Sequence, residues 1–199
     1  MKFYITYGTY GYLNQIQLNN ENHDLFIFSG NDQSVMIEET DDETIFQQPK
    51  KFRVLTRFGS ISSDDFHALI SIPTTEDHKY QLEKKLESYL PHLDEYDGFN
   101  TYRLLKPLQS NIYKVFLGFS SRKAYEDYKK SSAFREHFSK EAVRPLAGSS
   151  SAHASYLEQF FYPISEEEKR PGIEFVPSPL KIYQYRLQIN CTQSLFHCY

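Results

Sequence analysis

Short apolar runs and period-two alternation dominate the first sixty residues. "KFYIT" and "DLFIFSG" predict strands, and "SVMIEET" alternates before the acidic turn Asp41-Asp42-Glu43. "KFRVLTRF" predicts a fourth strand. The segment Thr9 to Asn19 fits two periods: Leu13 and Ile16 suit a helix, while Tyr10, Tyr12, Ile16 and Leu18 suit a strand. An N-cap oxygen on Thr9 tips that reading toward a helix.

The next hundred residues carry a clearer order. "FHALISIP" predicts a strand ended by Pro73. Thr74 and Thr75 offer N-cap oxygens, and Glu76 and Asp77 suit the positive end of a helix dipole. Leu82, Leu86, Tyr89 and Leu90 follow at helical spacing as one apolar stripe, and Pro91 stops it. "GFNTYRLLK" and "NIYKVFLGF" predict two strands joined by a polar loop. A second helix opens at Ser120 or Ser121 and carries Ala124, Tyr125 and Tyr128. Ser131 and Ser132 interrupt it, with Ser132 expected to cap a final turn bearing Phe134 and Phe138. "SYLEQFFYP" predicts the last strand of this unit.

The order β-α-β-β-α-β predicts an α+β, ferredoxin-like domain with both helices on one face of an antiparallel sheet. Three segments follow: an α+β N-terminal unit at 1–62, the ferredoxin-like domain at 63–164, and an extension at 165–199 behind the charged hinge "SEEEKRPG". In the extension Tyr183, Tyr185, Leu187 and Ile189 share one strand face, which suits edge pairing. A loosely attached tail is the other reading.

Composition narrows the function classes. The chain has 199 residues, 40% hydrophobic and 16% aromatic, all of the aromatics Phe or Tyr, which supports a real core. Net charge is -4 and the lysines are scattered in pairs, so no basic face for nucleic acid is expected. No apolar run approaches the roughly 18 residues of a membrane span. The start "MKFYITYGTYGYL" lacks the apolar core and cleavage site of a signal peptide. A cytoplasmic protein with at most peripheral membrane association is therefore expected. Cys191 and Cys198 lie in the last nine residues, with no zinc-site spacing and no reach to the main body.

Several motifs, in order, carry a resemblance: Tyr7-Gly8-Thr9-Tyr10-Gly11, "EETDDET", "IPTTEDHKYQLEKKL", "YRLLKP", "AYEDYKKSSAF", "HFSKEA" and "GSSSAHASY". Over residues 1 to about 165 the chain resembles the TRAP (target of RNAIII-activating protein) family of signal transduction proteins. The resemblance implies an antibiotic-biosynthesis-monooxygenase type domain, the half-unit of a dimeric α/β barrel, and hence a homodimer. It implies a signalling or stress-response role through protein contacts. The same superfamily contains haem-degrading monooxygenases, which supply the alternative reading, an enzyme with haem as cofactor.

Those haem-degrading relatives use an Asn on the first strand, and a Trp and an iron-ligating His on the second helix, ten residues apart. Here the strand position falls on Ala68, the Trp position on Tyr128 and the ligand position on Phe138. His137 stands one residue early, turned by about 100° on a continuous helix. On geometry Phe138 reads as core and His137 as a polar neighbour. His137 with Tyr128 remains the haem-binding pair only in the alternative, and otherwise no cofactor is expected.

The resemblance also implies regulation by histidine phosphorylation, at positions matching His78 and His153, with a third falling on Asp65. Nothing local tunes either imidazole, so the residues alone read as surface histidines. Other constellations are weak. "GTYG" lacks a phosphate-loop spacing, and "EETDDET" reads as an acidic hairpin turn rather than a calcium loop. Glu136, His137 and Glu141 read as a solvated helix face, and Ser149 to Ser151 have no acid to complete a triad with His153. No catalytic residue and no metal site is expected.

Overall fold

The computed structural model describes residues 1–88, 93, 95–148 and 155–169. Tyr89, Leu90, Pro91, Ser149 to Ser151, His153, the tail strand and both cysteines lie outside the described residues. Eight strands form one antiparallel sheet: β1 Lys2–Gly8, β2 Leu25–Ser29, β3 Ser34–Thr40, β4 Lys50–Phe58, β5 Phe66–Pro73, β6 Phe99–Pro107, β7 Ile112–Phe119 and β8 Leu157–Phe161. Their spatial order is β2-β3-β1-β4-β6-β7-β5-β8.

The second half has the expected architecture. Strands β8-β5-β7-β6 carry helices α2 (Lys79–Glu87), α3 (Arg122–Lys129) and α4 (Ser132–His137). Leu82 and Leu86 of α2 share one core with Tyr125 and Tyr128 of α3 and with alternate residues of β5, β6 and β7. Both helical segments therefore cover the same sheet face. The first half repeats this strand order as β4-β1-β3-β2, with α1 (Tyr10–Asn19) as its helix. Thr9 caps α1, accepting from the Tyr12 amide, and Leu13 is its buried residue. The helix alternative for Thr9–Asn19 thus holds, because a capped helix sets Leu13 and Ile16 against Tyr4, Ile27 and Met36.

The two halves join edge to edge through β4 and β6. At the far edges Ser29 and Tyr162 exchange two backbone hydrogen bonds of 2.8 and 2.9 Å, which brings β2 to the end of β8. The sheet thereby curls into a barrel whose interior is one shared core. Phe3, Ile5, Phe28, Val35, Ile37 and Phe52 come from the first half, and Leu69, Leu105, Phe116 and Phe161 from the second. The sheet face opposite the helices, on which sheet-to-sheet pairing of two chains would depend, is covered within one chain.

Three details correct the sequence reading. Ser131, not Ser132, caps α4: its backbone is extended and its hydroxyl accepts from the Phe134 amide three positions on. Thr75 precedes a 3-10 turn, Glu76–His78, without capping an amide, and Thr74 instead donates to the Leu146 carbonyl. The acidic segment after β3 is not a hairpin, because β3 and β4 flank β1 on opposite sides. Asp41 there pairs with the N-terminal ammonium.

Candidate functional site

The site implied by the haem-degrading relatives lies between the second-half sheet and α3–α4. On β5, alternation turns Phe66, Ala68, Ile70 and Ile72 toward the helices, and all four are buried. Ser121 opens α3 by accepting from the Ala124 amide. That start places Tyr125 and Tyr128 on the sheet side, one turn apart.

Tyr128 is 2% exposed. Its ring stacks on Phe119 at 5.4 Å and meets Tyr96 and Phe134 edge-on at 4.8 and 5.5 Å. Tyr125 is fully buried, and its hydroxyl donates to Glu158, which also pairs with Lys129 at 2.9 Å. Burial, followed by the Glu158 charge, pushes the Tyr125 hydroxyl well above the usual phenol range.

Phe138 is the C-cap of α4 and has no exposed surface. Its ring lies 6.4 Å from Tyr102 and 6.2 Å from Phe134. The Tyr156 hydroxyl donates to its carbonyl at 2.8 Å. His137 is half-buried beside it, ring centroids 6.4 Å apart. Because α3 ends before Ser131, the stretch from Tyr128 to Phe138 is two helices rather than one, yet Phe138 still lands in the core.

These residues do not fit a haem iron. The proximal ligand implied by the haem-degrading relatives is an imidazole aimed into the pocket. The matching position is a phenyl ring, and Tyr128, Phe134, Tyr102 and Phe138 fill the space between sheet and helices. Outside them runs a groove of about 480 Å³, lined among the described residues by Glu95, Asp97, Asp127 and Lys123. Lys123 and Lys130 hold the Asp127 carboxyl down to about 2, so it stays anionic.

The other candidate residues that the structure describes, His78 and Asp65, belong to different segments, before α2 and before β5. His78 ends the 3-10 turn before α2, half-buried, with Nδ1 3.0 Å from the Thr75 hydroxyl. His153 lies outside the described residues. Asp65 sits before β5 and accepts two hydrogen bonds of 3.0 Å from the Asn100 amide. Among the described residues no three His, Cys, Asp or Glu side chains cluster as metal ligands. No helix among them is long and apolar enough to cross a membrane.

Sequence reasoning missed the polar groups of the barrel interior. His67 is fully buried between Phe28 and Phe116, with ring centroids at 4.6 and 4.7 Å. Gly118 makes room for it, since a Cβ there would stand 3.0 Å from the imidazole and 2.8 Å from Thr101. Burial pushes the imidazole down to about 3; the Asp65 carbonyl opposes this and the Arg103 charge adds to it. Arg103 on β6 pairs bidentately with Glu39 on β3 at 2.7 and 2.8 Å, tying the two halves at one barrel end. The alternation of "FHALISIP", which puts His67 and Ser71 on the face opposite Phe66 and Ala68, was the available signal.

Residues 65–140 match the antibiotic biosynthesis monooxygenase family. The chain is 50% identical over 165 residues to the signal transduction protein TRAP of Staphylococcus aureus strain MSSA476, covering 83% of this chain and 99% of that one. A solved structure described as a major regulator of staphylococcal pathogenesis superposes with a TM-score of 0.77 at 46% identity, over 83% of this chain and all of that one. A heme-degrading enzyme from Listeria monocytogenes shares the fold, with a TM-score of 0.68 at 21% identity over 82% of this chain and all of that one.

Proposed function

The chain belongs to the family of the signal transduction protein TRAP, and from that membership we propose that it serves signal transduction or stress response through protein contacts, on a monooxygenase fold that no longer holds haem. The observation that carries this reading is Phe138. A fully buried ring stands where the haem-degrading relatives place the iron ligand. With a phenyl there, the reading favours a surface for protein contacts over a reaction centre. A cytoplasmic location, at most peripheral at the membrane, accompanies this reading. A homodimer of this chain would have to form on a surface other than the sheet face, which the chain's own first half covers. Haem titrated into the purified full chain is the direct test, and no stoichiometric complex is expected.

Regulation by phosphorylation at His78 and His153 belongs to the same proposal, and the geometry at His78 sharpens it. In the tautomer whose Nδ1–H donates to the Thr75 hydroxyl, Nε2 keeps its lone pair and is the nitrogen left to attack a phosphoryl donor. The expected product is the Nε2-phosphorylated imidazole. Small-molecule phosphorylation with phosphoramidate, mapped by mass spectrometry and ³¹P NMR, checks this. Thr75→Val should release Nδ1 and let both isomers form. Equal modification of both nitrogens in the natural protein, or none at His78, would contradict the assignment.

A further inference from the structure

The β6–β7 hairpin turns where β4 and β7 begin and β6 ends. A groove of about 520 Å³ lies there, within the range of small-ligand sites. Three lysines line it, Lys50 and Lys51 on β4 and Lys114 on β7. Its apolar walls include Phe52, Pro107 and Ile112, and no carboxylate among the described residues takes part in the lining.

Three other partly buried lysines have acids beside them: Lys79 with Glu76 at 2.6 Å, Lys106 with Glu83 at 2.7 Å and Lys129 with Glu158 at 2.9 Å. Lys114 is as withdrawn as these, yet its ammonium donates only to the neutral Ser71 hydroxyl, at 2.5 Å. Among the described residues no carboxylate is within ion-pair distance of it. Lys50 likewise has no acid partner and rests 5.0 Å over the Tyr7 ring. Burial first, and the Lys50 charge second, push the Lys114 amine down to about 8.

A charge held out of water without a counter-ion is costly, and a bound anion would remove that cost. The apolar walls beside it select against a bare inorganic ion and favour a ligand with a hydrocarbon or aromatic body. We propose that this barrel mouth binds a small amphiphilic oxyanion, a single carboxylate or phosphate head on an apolar chain. Lys50 and Lys114 hold the head, and Phe52, Pro107 and Ile112 line the chain. The site is independent of the haem question, since it lies at the barrel mouth and the haem position lies on the helix face.

Calorimetric titration of the full chain with octanoate and with octyl phosphate tests the proposal, with octanol and octylammonium as controls. Saturable one-to-one binding of an anion is expected, with neither control binding comparably. Lys114→Met and Lys50→Met should each weaken it by about tenfold, the loss of roughly one charged contact. Lys84→Met, an exposed lysine paired with Glu87, should leave it unchanged. Lys50 is exposed, so Lys50→Met carries the test even where Lys114→Met fails to fold. Co-sedimentation with phosphatidylglycerol vesicles, lost in the lysine variants, would identify a lipid as the source of the head group. Anion binding without vesicle capture would identify a free small acid. No saturable binding of either anion, equal binding of octylammonium, or affinity unchanged in both lysine variants would overturn the site.

Discussion

Phe138→Ala is expected to lower the unfolding free energy by about 3–5 kcal/mol, the usual cost of deleting a buried phenyl ring. The size follows from how little the surroundings can collapse. Tyr102 is fully buried and its hydroxyl is fixed to the Leu86 carbonyl at 3.2 Å, so its ring cannot swing into the gap. Phe134 sits one turn earlier on the same short helix, and Tyr156 holds the Phe138 carbonyl from the other side. Denaturant unfolding followed by circular dichroism reads the effect. His137→Ala, at a half-buried position, should cost clearly less. A Phe138→Ala variant that lost less than about 1 kcal/mol would mean that the space between sheet and helices is open or readily remodelled.

Acidification is expected to destabilise the barrel through His67. Its folded value, about 3, lies below the ordinary 6.5, so between these values the unfolded chain binds a proton that the folded chain refuses. Stability from this group is whole above pH 6.5 and is lost as the pH falls toward 3. At about 1.4 kcal/mol for each pH step, the loss by pH 4 amounts to about 3 kcal/mol. Carboxylates also titrate near the lower end, so the comparison is with His67→Leu. That variant removes the aromatic stacking at every pH but has no proton to gain. The gap between the two proteins should therefore move in favour of His67→Leu as the pH drops. Parallel stability curves would show that His67 is hydrated or protonated in the folded barrel.

The ferredoxin-like half was legible because its strands and helices keep clean periods. Leu82 and Leu86 face the sheet as their spacing requires, and Tyr125 and Tyr128 do the same behind the Ser121 cap. The first half was half-legible. Its strands stood out, but α1 buries only Leu13, and no second helix follows β3 to announce the repeated strand order. The barrel itself was not legible. Ser34 to Glu38 and the whole of β5 are buried on both faces, one against helices and one inside the barrel. That double burial blurs the alternation by which a half-exposed strand is recognised.

Site chemistry was hidden for a related reason. Glu39 meets Arg103 and Ser71 meets Lys114 only after strands distant in the chain are paired, and neither match leaves a local motif. The offset of His137 from the position that the resemblance gives the iron ligand, by contrast, is legible in "REHF", because neighbouring residues on a helix point different ways. The capping serine was misplaced by one position. Two adjacent serines offer equal oxygens, and only the extended backbone at Ser131 decides between them.

The central claim is that an aromatic core has replaced the haem site. Its most direct test is an absorbance titration of haem into the full-length protein, followed by addition of reductant in air. The expected result is weak or no Soret change, no stoichiometric end point and no loss of haem beyond the protein-free control. Phe138→His, where it folds, should gain a haem signal because it returns an imidazole to the ligand position. Tight one-to-one haem binding by the natural protein that disappears in His137→Ala would contradict the claim and make the haem-degrading reading the better one.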